Sequence, residues 1–295
     1  MKLKRLIYNV SLCIVGVLLA ACSNIADDER FVEVEPIIPP DSISDDSVIV
    51  VKRVLIEDFT GQRCINCPNG AEAIVQIQKS YGEDRIIAVG LYSGPLGRLP
   101  NGMPLPLYNE DANWYYEQRG VSVQPTAMID RGGLNSNSDT WSTDVFNRIR
   151  LQPELDLKAS CNYDEASRNV DITVEADGLA DVSGKLQVWL VEDNIVSLQM
   201  MPGGDTNQEY VHNHVFRATV NNREGEDISM ITGEHVTRTF SYAVSDEWKP
   251  EDMSVVVFVF NDSGVLQAAK APLLPEVGET GDEGGNAGGD AGTTE

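Results

Sequence analysis

Residues 64–67 read Cys-Ile-Asn-Cys, and they stand where a buried-strand pattern gives way to a helical one. Ile49–Phe59 is rich in Val, Ile and Leu and reads as a buried strand. Pro68 suits a first helical turn, and Ala71, Ile74, Val75 and Tyr81 give helix 68–81 one apolar face. The helix N-terminus points free N–H groups and the positive end of its dipole at the first sulfur. Cys64, with Arg63 beside it, is therefore expected to ionise more easily than a free cysteine. Cys67, a turn further in, is placed to resolve a mixed disulfide. Three readings of the pair stay open: an exchange-active dithiol, a structural Cys64–Cys67 disulfide, or zinc ligation. Export to an oxidising compartment supports the second. A closed zinc site needs four ligands, and no second Cys-x-x-Cys or nearby His pair occurs, so no metal is expected.

The alternation continues beyond the dithiol. Arg85–Tyr92 reads as a second buried strand, 93–107 as a long loop rich in Pro and Gly, and Glu110–Arg119 as a helix closed by Gly120. Thr126–Asp130 reads as a short strand, Gly132-Gly133 as a turn into another, and Trp141, Val145, Phe146 and Ile149 mark a last amphipathic helix. The order β-α-β-α-β-β-α predicts an α/β domain over 49–152. After Pro153 the texture changes. Leu155, Leu157, Ala159 and Cys161 alternate with polar residues, as do Val170, Ile172 and Val174, then Leu186, Val188 and Leu190. That period predicts a second, all-β domain over 154–272, an Ig-like sandwich with Cys161 as a core thiol. The tail 276–295, acidic and Gly-rich, is expected to be disordered.

The beginning of the chain reads as an address. Met1–Arg5 is basic, Leu6–Ala21 is mostly apolar and too short to span a bilayer, and small residues close it, so 1–21 is expected to be a signal peptide. Leu19-Ala20-Ala21-Cys22 resembles the bacterial lipobox. That resemblance implies cleavage before Cys22 and acylation of its thiol, giving a membrane anchor. Residues 22–48, with Pro36, Pro39, Pro40 and many acids, read as a tether. Asp27-Asp28-Glu29 is similar to the surface-export signal of Bacteroidetes lipoproteins; a solvated linker run is the plainer reading.

Residues 54–67, VLIEDFTGQRCINC, resemble the strand-to-active-site segment of thioredoxins, and Val123-Gln124-Pro125-Thr126 resembles their cis-proline loop. The resemblance implies that Asp58 is a buried carboxylate serving Cys67 as proton acceptor, and that Pro125 positions a partner chain. Arg63 in place of the usual Trp, and Pro68 directly after Cys67, depart from the pattern. The whole chain also resembles the outer-membrane lipoprotein family of Bacteroidetes named for a protein of about 28 kilodaltons. The lipobox, EDFTGQRCINCPNG (57–70), VQPTAMIDRGG (123–133) and YVHNHVFR (210–217) carry that likeness over most of 19–270. It implies a lipid-anchored location at the outer membrane, on the periplasmic or the cell-surface face.

Function divides into two expectations. The first is thiol–disulfide exchange on exported protein thiols or disulfides, with Cys64 attacking, Cys67 resolving, Pro125 and Asp58 in support, and no cofactor. The second is a non-enzymatic surface lipoprotein (adhesin, glycan-binding or assembly component) with a structural disulfide. An exposed Cys64 in a groove against Pro125 favours the first; sulfurs buried beneath the 93–107 loop favour the second. A formal net charge of −24 argues against nucleic acid as partner, because such a chain repels phosphate backbones. His212 and His214, two apart, are expected to share a strand face as surface or network groups, and Trp114, Tyr115 and Tyr116 to pack in the core or form a binding patch.

Overall fold

A computed structural model describes residues 49–103 and 105–274. The expected signal peptide 1–21, the Cys22 anchor, the tether 22–48 and the tail 276–295 fall outside that range.

The chain opens with strand β1 (Val54–Thr60), helix α1 (Cys67–Tyr81) and strand β2 (Ile86–Tyr92). After a single helical turn at Gly94–Gly97 come α2 (Glu110–Gln118), β3 (Thr126–Ile129), β4 (Leu134–Asn135) and α3 (Trp141–Ile149). Ten strands follow: β5 (Leu155–Asp164), β6 (Asn169–Gly178), β7 (Val182–Glu192), β8 (Ile195–Met200), β9 (Thr206–His212), β10 (Val215–Thr219), β11 (Glu226–Met230), β12 (His235–Ala243), β13 (Met253–Asn261) and β14 (Gly264–Pro272).

One sheet of nine strands takes members from both ends of the chain, in the order β14-β13-β7-β10-β2-β1-β3-β4, with β11 also on β7. β1 and β2 are parallel, β3 is antiparallel to β1, and β2 meets β10 at the pair Val215 and Gly90. Both β1 and β2 are buried on both faces, which is why they carry near-continuous apolar sequence. On one face, Val54, Ile56, Ile86 and Ala88 pack against Ile74 and Ile77 of α1 and against Trp141, Val145 and Ile149 of α3. These last three recur every fourth residue, a single apolar stripe. On the other face, Leu55, Phe59, Val89 and Leu91 share one core with Trp189, Phe216, Val256 and Phe258 from the C-terminal half. Helix α2 crosses that core: the Tyr115 ring lies 5.0 Å from Trp189, whose indole N–H donates to the Tyr115 hydroxyl at 3.1 Å. Asn109 caps α2 by accepting from the N–H groups of Asp111 and Ala112, and its own amide reaches the Arg217 carbonyl on β10. A second sheet, β12-β6-β5, covers the β7, β13 and β14 region, and its buried residues alternate along β6 as half-covered strands do.

The expected fold class is therefore corrected. A thioredoxin-like α/β domain followed by a separate Ig-like sandwich does not form; the described residues are 45% strand and 19% helix, with a common sheet running through both halves. The free edge of β2 is taken by β10, and the apolar face of β1 and β2 is completed by Trp189, Phe216 and Phe258. Each half has a core of its own, and a third core is built from both. Cys161 is half-buried on β5, packed against the core rather than within it, and burial pushes its thiol up to about 12, away from the reactive thiolate.

Candidate functional site

The end of β1 feeds the loop 61–66 and then α1, so Cys64 lies just before the helix and Cys67 at its first position. The two are joined as a disulfide, and each is only 2% exposed. Their cover comes from distant segments. Arg63 N–H donates to the Leu96 carbonyl at 3.0 Å, and a Cβ on Gly61 would come within 2.6 Å of the Leu96 backbone, so only glycine allows that approach. The buried Gln62 amide accepts from Leu107 N–H and donates to Ser197 and the Leu198 carbonyl. Gln199 of β8 donates to the Cys64 carbonyl at 2.9 Å and to the Gly61 carbonyl at 3.3 Å. The 93–107 segment thus packs on residues 61–63, and the β8–β9 hairpin closes over Cys64.

The Gln124–Pro125 bond is cis. Pro125 is buried against the start of α1, beside Gly70, and the Gln124 amide donates to the Thr60 and Ser93 carbonyls.

A cavity of about 360 Å³ lies on the inner side of Cys67, between α1, the β1–β2 face and β9. Asp58 and Cys67 line it; Cys64 and Pro125 do not. The strand residues that face α1 explain the empty space. Along β2 these are Ile86, Ala88, Gly90 and Tyr92, so two small residues stand where bulky ones would fill the layer. A Cβ at Gly90 would sit 3.3 Å from the Tyr92 ring, inside the cavity's floor. Asp58 is 4% exposed, its Oδ1 has no hydrogen-bond partner, and burial lifts its carboxyl up to about 7. The Tyr92 hydroxyl lies 2.7 Å from His212 Nδ1. Burial, chiefly, with Asp58 and Tyr210 adding to it, raises Tyr92 well above an ordinary phenol. Burial pushes His212 down to about 4, against the pull of the Ser197 and Leu198 carbonyls, so the ring is neutral near pH 7.

His212 and His214 both line the cavity, but not from a common strand face. His212 ends β9, whereas His214 lies in the following turn at φ 58°, 2.9 Å from Asp193 Oδ1. The His214 carbonyl accepts from Gly90 N–H at 2.7 Å, and Lys270 lies 3.2 Å from Asp193 Oδ2. Burial opposes ionisation of Asp193, yet these partners hold its carboxyl well below the ordinary range.

Two further charge pairs went unnoticed in the sequence. Lys52 and Asp130 meet at 2.7 Å with almost no exposure, and Asp130 Oδ1 also accepts from Leu55 N–H. Burial drives Lys52 down and Asp130 up, and their mutual attraction opposes both shifts. Arg131 holds Glu57 through both carboxylate oxygens at 3.1 Å, and its guanidinium lies 4.0 Å from the Phe260 ring centre. The acidic and basic residues of VQPTAMIDRGG thus face inward, each against a partner more than seventy positions away.

The fold is rich in strand, and its disulfide is covered. Residues 112–276 match the model of outer membrane protein Omp28. The chain belongs to the Omp28 family of outer membrane proteins. No curated protein matches in sequence. HBP35 of Porphyromonas gingivalis shares the fold at a TM-score of 0.60 and 14% identity, covering 77% of each chain. A protein of Agrobacterium tumefaciens aligns at a TM-score of 0.48 and 15% identity, over 77% of this chain and 97% of its own. A domain of the outer membrane lipoprotein Omp28 from Porphyromonas gingivalis aligns at 0.30 and 21% identity, over 41% of this chain and 88% of its own.

Proposed function

We propose that this protein is a non-enzymatic lipoprotein of the outer membrane, a binding or assembly component, in which Cys64–Cys67 is a structural clasp. The observation that carries the reading is the 2% exposure of both cysteines beneath the β8–β9 hairpin. Exchange needs an incoming thiolate to attack a disulfide sulfur, and attack needs access. The clasp instead fixes the loop that receives Gln199 and Leu96, so it helps hold the N-terminal strands against the hairpin. Cys22 is the anchor residue in this reading, and partner contact falls to exposed surfaces of an acidic protein.

The full-length protein in detergent tests it. Insulin reduction by dithiothreitol is expected to run at the uncatalysed rate in its presence, and a Cys67→Ser chain is expected to trap no mixed disulfide. Turnover with insulin, or a partner held on Cys64, contradicts the proposal.

A further inference from the structure

The cavity beside Cys67 has no role as part of a clasp. Its walls are chemically one-sided. The ionisable groups on it are Asp58 at the floor, Glu72 on α1, Tyr92 on β2, and Tyr210 and His212 on β9, with His214 held by Asp193 in the next turn. None of the lining residues is Lys or Arg. Ile74, Val75 and Ala88 supply an apolar wall. Val75 and Val211, 39% and 48% exposed, mark the side open to solvent, with Glu72 beside them. The volume is at the small end of small-molecule sites, which run from about 300 Å³ upward.

A buried carboxylate without a donor is a standing cost, because removal from water is not offset by a hydrogen bond. Asp58 Oδ1 is such a group, and it belongs to a residue lining the cavity. We infer that this cavity binds a small organic ammonium ion, the charged end on the Asp58 carboxylate and the apolar body against Ile74, Val75 and Ala88. The ammonium group donates the hydrogen bonds the carboxylate lacks. The Tyr92 and Tyr210 side chains line the same space, and Glu72 attracts the charge at the mouth. An anion gains no opposite charge from Asp58 or Glu72, although His212 Nε2 also lacks a partner, and a neutral alcohol can donate one hydrogen bond but leaves the carboxylate charge unmatched.

The pH dependence follows from the groups facing Asp58. Tyr92 and Tyr210 are both raised, burial first, so neither ionises near pH 7. His212 is neutral there, and Cys67 is locked in its disulfide. Asp58 itself takes up a proton at about 7. Ammonium binding therefore strengthens as pH rises through that value.

The test is calorimetric titration of the full-length protein in detergent with benzylammonium, beside benzyl alcohol and benzoate as neutral and anionic analogues of similar shape. Benzylammonium is expected to bind at about pH 8, at least about tenfold more tightly than either analogue or than itself at about pH 5.5. Asp58→Asn is expected to weaken it by about tenfold or more, and Ala71→Phe, on the α1 wall, to block it with the carboxylate intact. If Asp58→Asn fails to fold, Ala71→Phe and the pH pair decide the matter. No measurable binding to the folded parent overturns the inference, as does binding indifferent to pH, to ligand charge or to the wall substitution. Thiol chemistry is not read in this titration, so its failure leaves the clasp reading standing.

Discussion

Two carboxylates lie buried on either side of β1, and their surroundings are opposite. Asp130, where β3 ends, meets Lys52 at 2.7 Å and the Leu55 N–H at 2.8 Å. Asp58, on β1 itself, has an unpartnered Oδ1 and faces open space. The seam around Asp130 also holds the Glu57–Arg131 pair, and the Asp130 carbonyl accepts from Val265 N–H on β14. Asp130 and Glu57 each face a cation there, and the Val265 hydrogen bond ties the N-terminal strands to β14. At Asp58 the matching group is missing although the fold had the same means to supply one. Complete pairing marks a structural joint, and a deliberate vacancy in the layer marks a place for a guest.

The seam can be broken with the largest effect. Arg131→Met leaves Glu57 buried without its partner and is expected to lower stability by about 3–5 kcal/mol in urea unfolding. Adding Glu57→Gln removes the uncompensated charge, so the double variant is expected to recover part of that loss. A double variant no better than the single one contradicts the seam's electrostatic role.

At the cavity the sign reverses. Asp58 has a folded pKa of about 7 against an ordinary value of 3.8, so the folded state holds its proton longer than the unfolded state. Stability from this group is full below about pH 4, falls as pH rises towards 7, and is level above it. The loss amounts to up to roughly 4 kcal/mol, and an asparagine amide left short of partners returns about 1–3 of it as a cost. Asp58→Asn is therefore expected to stabilise the ligand-free protein at about pH 8 by about 1–3 kcal/mol, an advantage that disappears near pH 4. A variant less stable at both pH values breaks the contrast with Asp130.

The smallest effect is expected at the cover. Gln199→Ala removes the hydrogen bond on the Cys64 carbonyl and is expected to cost about 0.5–1.5 kcal/mol, read in the same urea unfolding. Reduction of the disulfide in the folded protein is expected to quicken with it. An unchanged reduction rate argues that β8 is not the cover.

Local elements were legible in the sequence because their signals are local. The four-residue spacing of Trp141, Val145 and Ile149, the run of strand residues up to Phe59, and the alternation along 170–174 each describe a face of one element. The joining of the halves was not legible. The pairing of β2 with β10 is made by backbone groups, which leave no mark on side-chain pattern, and apolar β2 says only that both faces are covered. Glu57 and Arg131 are 74 positions apart, Gln199 and Cys64 are 135 apart, and neither pair has a spacing to detect. The cavity left one readable trace: Ala88 and Gly90 alternate on the same face of a strand otherwise built from bulky residues. Cys64 and Cys67 stand out by their spacing at a strand-to-helix junction, Asp58 and Pro125 by resemblance, and the fold gathers them near one another while leaving each sulfur residue only 2% exposed.

Whether the clasp is closed in solution is the direct question. The measurement is the rate at which glutathione reduces Cys64–Cys67 in the full-length protein, set beside its global unfolding rate under the same conditions. A sealed disulfide predicts that the two rates coincide, because reduction waits for the hairpin to leave. Reduction many times faster than unfolding, rising linearly with glutathione without saturating and independent of urea, would show a reachable sulfur and contradict the account.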